Sequence, residues 1–244
     1  ATTSLAVIDS RALPGPELPL PRSIVWLPLR TGGQEIGVLA ASSSELLAAT
    51  NEQAETAMLV AAHVAALLDA ALAFERERHA ATHDSLTGVL NRRGFEDRLE
   101  HELAQAGSSP LSLVLVDCDN LKEINESGGH ALGDCALRAI SACLEAHCRP
   151  TDAVARVGGD EFAIVLPTLG QAEVGVVAER IREACEASTT LSTRLTVSLG
   201  SASSPVDAST AAGLLDAADR ALFAAKRSGK NRSTAYGSTA RASR

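Results

Sequence analysis

The chain has 244 residues, 45% of them hydrophobic and 21% charged, with a formal net charge of −8. That is enough apolar material for one large domain or two modest ones. An acidic balance argues against a general binder of nucleic acid or anionic membrane, so a nucleotide site here needs local Lys and Arg or metal ions to offset phosphate charge.

The opening Ala1-Thr2-Thr3-Ser4 carries no basic n-region, and no run is read as approaching the roughly 18 apolar residues that span a bilayer, so a cytoplasmic protein without a membrane segment is expected. Residues 11–22 are rich in proline and predict a loop. Ser23 to Leu29 and Ile36 to Ala41 predict two strands of a hairpin around Thr31-Gly32-Gly33. A long alanine-rich helix follows. Val60, Val64, Leu67, Ala71 and Phe74 recur at spacings of four and three, a heptad-like stripe that suits either pairing of two chains or packing on the helix's own domain. Glu75-Arg76-Glu77-Arg78 is a solvated stretch, and a domain boundary is expected near residue 80.

Beyond it the pattern alternates. Helices are predicted over 92–106, 132–147, 171–187 and 210–228. Leu111 to Val116 is a continuous apolar strand ending in Asp117-Cys118-Asp119. Val154–Val157 and Phe162–Leu166 predict a hairpin, and Leu195–Ser201 a further strand. Strands separated by helices imply a sheet covered by helices. The small, polar tail from Ser238 is expected to be disordered.

Five cysteines with no CxxC pair read as reduced thiols. Cys143, His147 and Cys148 cluster in sequence, but one predicted helix holds all three with no second ligand pair nearby, so zinc is not expected.

Asp117 and Asp119 close a strand, and Asp160 and Glu161 follow a Gly-Gly turn. If the two acidic pairs converge on one sheet edge, they repel each other unless a hard cation lies between them. Mg²⁺ takes one or two carboxylates plus phosphate oxygens, and two such ions about 4 Å apart stabilise attacking and leaving oxygens in phosphoryl transfer. The alternative is that these are ordinary strand-end residues. Gly158-Gly159 offers either close approach of a phosphate or a plain hairpin turn. Lys226, Arg227, Lys230 and Arg232 complement a helix C-terminus or clamp a triphosphate. No Walker A loop is present, because no glycine stands five residues before Gly229. Nor is Asp117–Asn125 an EF-hand.

Taken in order, these pieces resemble the GGDEF family. Asp84-Ser85-Leu86-Thr87-Gly88-Val89-Leu90-Asn91-Arg92-Arg93 resembles D-x-L-T-G-L-x-N-R-R. Asp117-Cys118-Asp119-Asn120-Leu121-Lys122-Glu123-Ile124-Asn125 resembles D-x-D-x-F-K-x-x-N, with Leu121 in place of phenylalanine. Gly129-His130-Ala131-Leu132-Gly133-Asp134 matches G-H-x-x-G-D. Gly158-Gly159-Asp160-Glu161-Phe162 is the signature pentapeptide. Ala225-Lys226-Arg227-Ser228-Gly229-Lys230-Asn231 resembles A-K-x-x-G-[RK]-N.

The resemblance implies an α+β fold, a mixed sheet similar to nucleotidyl cyclases and polymerase palms, flanked by helices. It implies a diguanylate cyclase that condenses two GTP into cyclic di-GMP at the interface of a homodimer. A non-catalytic module that binds either nucleotide is the alternative. By resemblance, Asp117, Asp160, Glu161 and the Cys118 carbonyl would hold Mg²⁺ (or Mn²⁺), two ions per active half-site. Glu161 would help deprotonate the attacking hydroxyl. Asn125 and Asp134 would read guanine, and His130 would lie close to the nucleotide. Gly158 and Gly159 would border it, and Lys122, Lys226 and Lys230 would hold phosphates. Arg149-Pro150-Thr151-Asp152, which ends five residues before Gly158, resembles the R-x-x-D inhibitory site for product, with Arg149 and Asp152 as its contacts. Ile24 to Leu29, Gly37-Val38-Leu39 and the long helix resemble part of a GAF sensor domain. The implied division is 1–50 a partial GAF-like segment, 51–82 a linker helix, 83–235 the cyclase domain and 236–244 a disordered tail.

Overall fold

A computed structural model describes residues 6–9, 23–43, 51–188 and 194–237. The proline-rich stretch 11–22 and the tail from Ser238 lie outside the described residues. The chain divides into two compact units at Arg78/His79.

In the first unit, β1 (Ala6–Asp9), β2 (Ser23–Thr31) and β3 (Gln34–Ser43) form an antiparallel sheet in the order β1-β2-β3. Helix α1 (Asn51–Thr82) follows. Val25, Leu27 and Leu29 alternate onto one face of β2, as a half-buried strand requires, and bury against Ala61 and Ala65 of α1. The heptad-like stripe therefore splits. Val64 packs on this small core, whereas Val60, Leu67 and Phe74 stay exposed. Glu52–Thr82 is long and apolar enough to cross a membrane, by length and composition only, and little of it is buried. That corrects the expectation that no run approaches that length: the alanines carry the apolar character past His63 and Asp69, which interrupt it in the sequence.

The second unit holds a five-stranded mixed sheet in the order β5-β6-β4-β7-β8. Its strands are β4 (Leu111–Cys118), β5 (Ala153–Arg156), β6 (Glu161–Pro167), β7 (Val197–Ser204) and β8 (Ser233–Ala235). All neighbours are antiparallel except β7 and β8. Strand β4 is central and buried on both faces, which is why it reads as an apolar run broken before Asp117 only by Ser112, whose buried hydroxyl donates to the Leu169 carbonyl at 2.8 Å. Val114, Val116 and Cys118 face α3 (Leu121–His147) and α4 (Gln171–Glu186). Leu111, Leu113 and Leu115 face α2 (Arg92–Ala106) and α5 (Ala211–Arg227). Each fully buried leucine of this core contributes roughly 1.5–3 kcal/mol relative to exposure.

Two elements differ from expectation. Helix α3 begins at Leu121, not near 132, and contains Gly129 at φ 75, ψ 174 as a kink between two helical segments. The Gly128-Gly129 pair masks the helix in the sequence, and the positive φ is one that glycine adopts without strain. Strand β8 is only three residues long and carries no periodic signal. Just past it, the Tyr236 N–H donates to the Ser201 carbonyl at 2.8 Å.

Candidate active site

The site grows from the point where β4 and β6 end side by side. Asp117 pairs with Glu161 in the antiparallel register, and the Cys118 N–H donates to the Asp160 carbonyl at 3.0 Å. Asp117, Asp160 and Glu161 are thereby gathered at one end of the sheet. Asp117 is 5% exposed. Burial pushes its carboxyl up to about 6. The ammonium of Lys226, 2.6 Å from Oδ2, opposes that rise, while Asp160 and Glu161 reinforce it. The Cys118 thiol is pushed up to about 12 by burial and by Asp117, Asp160 and Asp119, so it stays protonated and offers only its backbone.

Asp119 does something else. It is 3% exposed and committed to three donors. Its carboxylate accepts from Ser198 Oγ at 2.8 Å, Thr196 Oγ1 at 3.0 Å and the Asn231 N–H at 3.0 Å. Asp119 thus stands outside the acidic convergence that the sequence suggested. Strand β4 ends at Cys118 and Asn120 is left-handed at φ 62, so the alternation that would align Asp119 with Asp117 is broken. Asp119 instead anchors the segment after α5. In that segment Lys230 donates to Asn120 Oδ1 at 2.6 Å, and Arg182 of α4 donates to Asn231 Oδ1 at 3.1 Å.

The turn between β5 and β6 closes with the N–H groups of Val157 and Gly158 donating to the Glu161 carbonyl at 2.9 and 3.2 Å. Neither Gly158 nor Gly159 has a positive φ, so the backbone does not itself demand glycine there. The Glu161 carboxylate lies over Gly158, where an added Cβ would meet Oε2 at 2.6 Å and would have to displace it, whereas Gly159 opens onto empty space. Arg156 pins this turn: it donates to the Gly159 carbonyl at 2.7 Å and to both Asp84 carboxylate oxygens at 3.1 and 3.3 Å. Burial works to raise the Asp84 carboxyl, but hydrogen bonds from the Thr87 hydroxyl and N–H and from Arg156 leave it below the usual range. Asp84 of the opening motif therefore holds the signature turn from 72 residues away. Asp84 and Arg156 did not stand among the expected site residues, and Asp119 was weighed only as a companion of Asp117 at the strand end. Asp84 opens the first motif and Asp119 lies inside the second, whereas Arg156 stands two residues before the signature pentapeptide.

A cleft of about 630 Å³ opens beside this end of the sheet. Its wall brings together Lys122, Asn125, His130 and Asp134 from α3 with Arg156, Gly159 and Asp160 from the turn. The kink at Gly129 lets both segments of α3 face the same space. Asn125 lies directly over Gly133, where an added Cβ would sit 2.0 Å from Oδ1. Lys122 is exposed, with only a long contact of 3.8 Å to Glu126. Lys226 and Lys230 do not line this cleft; they are held by Asp117 and Asn120. Glu161 borders a smaller hollow of about 310 Å³, lined by Phe162 and Leu222 together with the charged Arg92, Glu96, Asp216 and Asp219.

Arg149 and Asp152 share a tight turn. The Arg149 N–H donates to Asp152 Oδ2 at 2.7 Å and the Asp152 N–H to the Arg149 carbonyl at 3.0 Å. They also line a separate cleft of about 460 Å³ with His83 and Arg98. Arg98, which donates to the Thr151 carbonyl at 2.7 Å, was not expected there.

Residues 81–232 match the family model described as diguanylate cyclase, GGDEF domain. Diguanylate cyclase TpbB of Pseudomonas aeruginosa is 42% identical over 156 residues, covering 61% of this chain and 36% of its own length. Protein YhcK of Bacillus subtilis is 36% identical over 172 residues, covering 67% of this chain and 48% of its own length. The chain thus spans less than half the length of these curated relatives. The coiled coil and GGDEF domain of DgcB from Caulobacter crescentus, solved in complex with c-di-GMP, superposes with a TM-score of 0.66 at 32% identity. That match covers 72% of this chain and 96% of the DgcB chain.

Proposed function

The chain belongs to the GGDEF family of diguanylate cyclase domains, and from that membership we propose that it joins two molecules of GTP into cyclic di-GMP with release of pyrophosphate. The observation that carries this reading is the cleft in which Lys122, Asn125, His130, Asp134, Gly159 and Asp160 share one wall. A carboxylate and an amide facing one base match the donor and acceptor edge of guanine and leave adenine unpaired, which is how a polar site discriminates. Asn125 and Asp134 take that role, and His130 lies beside the nucleotide. Gly158 and Gly159 let the phosphates approach the turn. Lys122, Lys226 and Lys230 hold them, and Lys122 offsets charge on the transferring group.

The acids at the end of β4 and β6 suit divalent cations. Among the described residues no three of His, Cys, Asp and Glu form a preformed cage. Magnesium does not need one, because it is held by one or two carboxylates and substrate phosphates. The ammonium of Lys226 already at Asp117 marks this as a place where positive charge is stabilised. Asp117, Asp160, Glu161 and the Cys118 carbonyl would hold two Mg²⁺ or Mn²⁺ ions, which when bound stabilise charge on the attacking and leaving oxygens. Glu161 accepts the proton of the attacking 3′-hydroxyl. That oxygen bonds to the α-phosphorus of the opposing GTP as the bond to pyrophosphate breaks.

One chain carries one GTP, so two chains face each other. The exposed Val60, Leu67 and Phe74 of α1 give the helix an apolar seam for pairing with a second copy. We read the sheet ahead of α1 as part of a GAF-like input segment. Arg149 and Asp152 bind the product and give feedback, arginine supplying both phosphate contact and stacking on guanine. Incubation with GTP and Mg²⁺, followed by chromatography for cyclic di-GMP, tests the reading. No product from a dimeric, GTP-bound sample would overturn it.

A further inference from the structure

The sulfur atoms of Cys143 and Cys185 lie 3.3 Å apart, although 42 residues separate them in sequence. Cys143 is on α3 and Cys185 on α4, where the two helices pack on one face of the sheet. Cys185 is fully buried in that core, whereas Cys143 is half-buried at its edge. His147, one turn along α3, places Nδ1 4.0 Å from Cys143 Sγ.

The chemistry of the two thiols is unequal. The Cys185 S–H donates to Cys143, and this bond, together with nearby His147, brings the Cys143 thiol down to about 7 against the effect of burial. The same bond and burial push Cys185 well above the usual thiol range. Cys148 is also raised, to about 12, by burial and by Asp152. Cys143 is therefore the thiol of this group that carries thiolate and reaches solvent, and thiolate is the reactive form.

We propose that Cys143 and Cys185 form a peroxide-responsive dithiol, which a hydroperoxide converts into an intrachain disulfide that ties α3 to α4. The Cys143 thiolate attacks one peroxide oxygen. An S–O bond forms and the O–O bond breaks, leaving Cys143 as a sulfenic acid and releasing hydroxide or alkoxide, which takes a proton from solvent. The Cys185 sulfur then attacks the Cys143 sulfur. The S–S bond forms, the S–O bond breaks, and the hydroxyl leaves as water with the Cys185 proton. Two thiols lose two electrons and the peroxide gains them. The sulfurs must close from 3.3 Å to the roughly 2 Å of a disulfide.

The bond has a position that matters. The last turn of α3 runs directly into the Arg149–Asp152 turn, and Arg180 of α4 already donates to the His147 carbonyl at 2.9 Å. A covalent tie one turn earlier fixes the helix that presents this turn.

The reduced full chain is treated with hydrogen peroxide, alkylated under denaturing conditions with iodoacetamide, and mapped by mass spectrometry. The expected result is a Cys143–Cys185 cross-linked peptide that dithiothreitol reverses, with Cys118, Cys135 and Cys148 alkylated. The thermal midpoint should rise on oxidation and return on reduction. Alkylation of both Cys143 and Cys185, or a cross-link from Cys143 to Cys148, would overturn the proposal. In Cys143→Ser, a change at a half-buried position, Cys185 should stay reduced under the same treatment. Equal oxidation of Cys185 in that variant would refute the role of Cys143 as the attacking thiol.

Discussion

Lys226 at the end of α5 places its ammonium 2.6 Å from Oδ2 of Asp117 at the end of β4, so a residue of the closing motif neutralises a buried acid of the second motif. The contact couples site assembly to stability. Asp117 titrates at about 6 in the fold against 3.8 unperturbed. A carboxyl raised on folding costs stability above its folded value, and that cost fades as pH falls through about 6 toward 3.8. Metal-free Asp117→Asn should therefore be more stable than the parent at pH 8, by on the order of 1–3 kcal/mol, with the gap closing in acid. Urea unfolding across that range measures it. The same variant should make no cyclic di-GMP, a trade of function against stability seen at many active sites.

Asp84 gives the opposite pH sign. Its folded value lies below 3.8, so its contribution is present above 3.8 and is lost as pH falls through the lower folded value. Asp84→Asn should cost about 1–2 kcal/mol at neutral pH, because the Thr87 and Arg156 donors lose their charged acceptor. The penalty should vanish in strong acid. Since Arg156 also grips Gly159, GTP affinity should fall with it, and calorimetric titration reads that loss.

Asp119→Ala tests the division of labour between two neighbouring acids. It strands the donors of Ser198, Thr196 and Asn231, and should destabilise the fold by about 2–4 kcal/mol. Thermal unfolding should show the loss with and without Mg²⁺. If Mg²⁺ stabilised the parent but not the variant, Asp119 would be acting as a metal ligand instead of an anchor.

Gly133→Ala probes base recognition without replacing a polar side chain. The added Cβ meets Asn125 Oδ1 at 2.0 Å and must turn that amide aside. Alanine is the better helix former by about 1 kcal/mol, so stability should change little. Discrimination of GTP over ATP should fall roughly tenfold or more, as for other polar sites left mismatched. Competition binding with the two nucleotides checks this.

How much of this could be read beforehand differs by element. Strand β4 was legible because burial on both faces leaves a run that is apolar up to Asp117 except at Ser112, and the cleft residues of α3 were legible because they sit in contiguous motifs. The start of α3 was hidden by Gly128-Gly129, which signals a loop until neighbouring segments are seen to be helical on both sides. Asp119 was indistinguishable from Asp117 because the end of the strand, where alternation stops, leaves no mark in sequence. The links from Asp84 to Arg156 and from Cys143 to Cys185 join residues far apart in the chain, and local pattern carries no information about them. On α1 the apolar spacing was visible, but the residues it buries fully in the small core are the alanines at 61 and 65, which a stripe of large residues does not reveal.

The most direct test of the account is the initial rate of cyclic di-GMP formation from GTP and Mg²⁺, measured per chain over a range of chain concentrations for the parent and Asp160→Ala. Product is expected at a rate per chain that climbs with concentration as two GTP-loaded copies meet, with none from Asp160→Ala. A parent that binds GTP and dimerises yet makes no product, or an Asp160→Ala variant that matches it, would contradict the account.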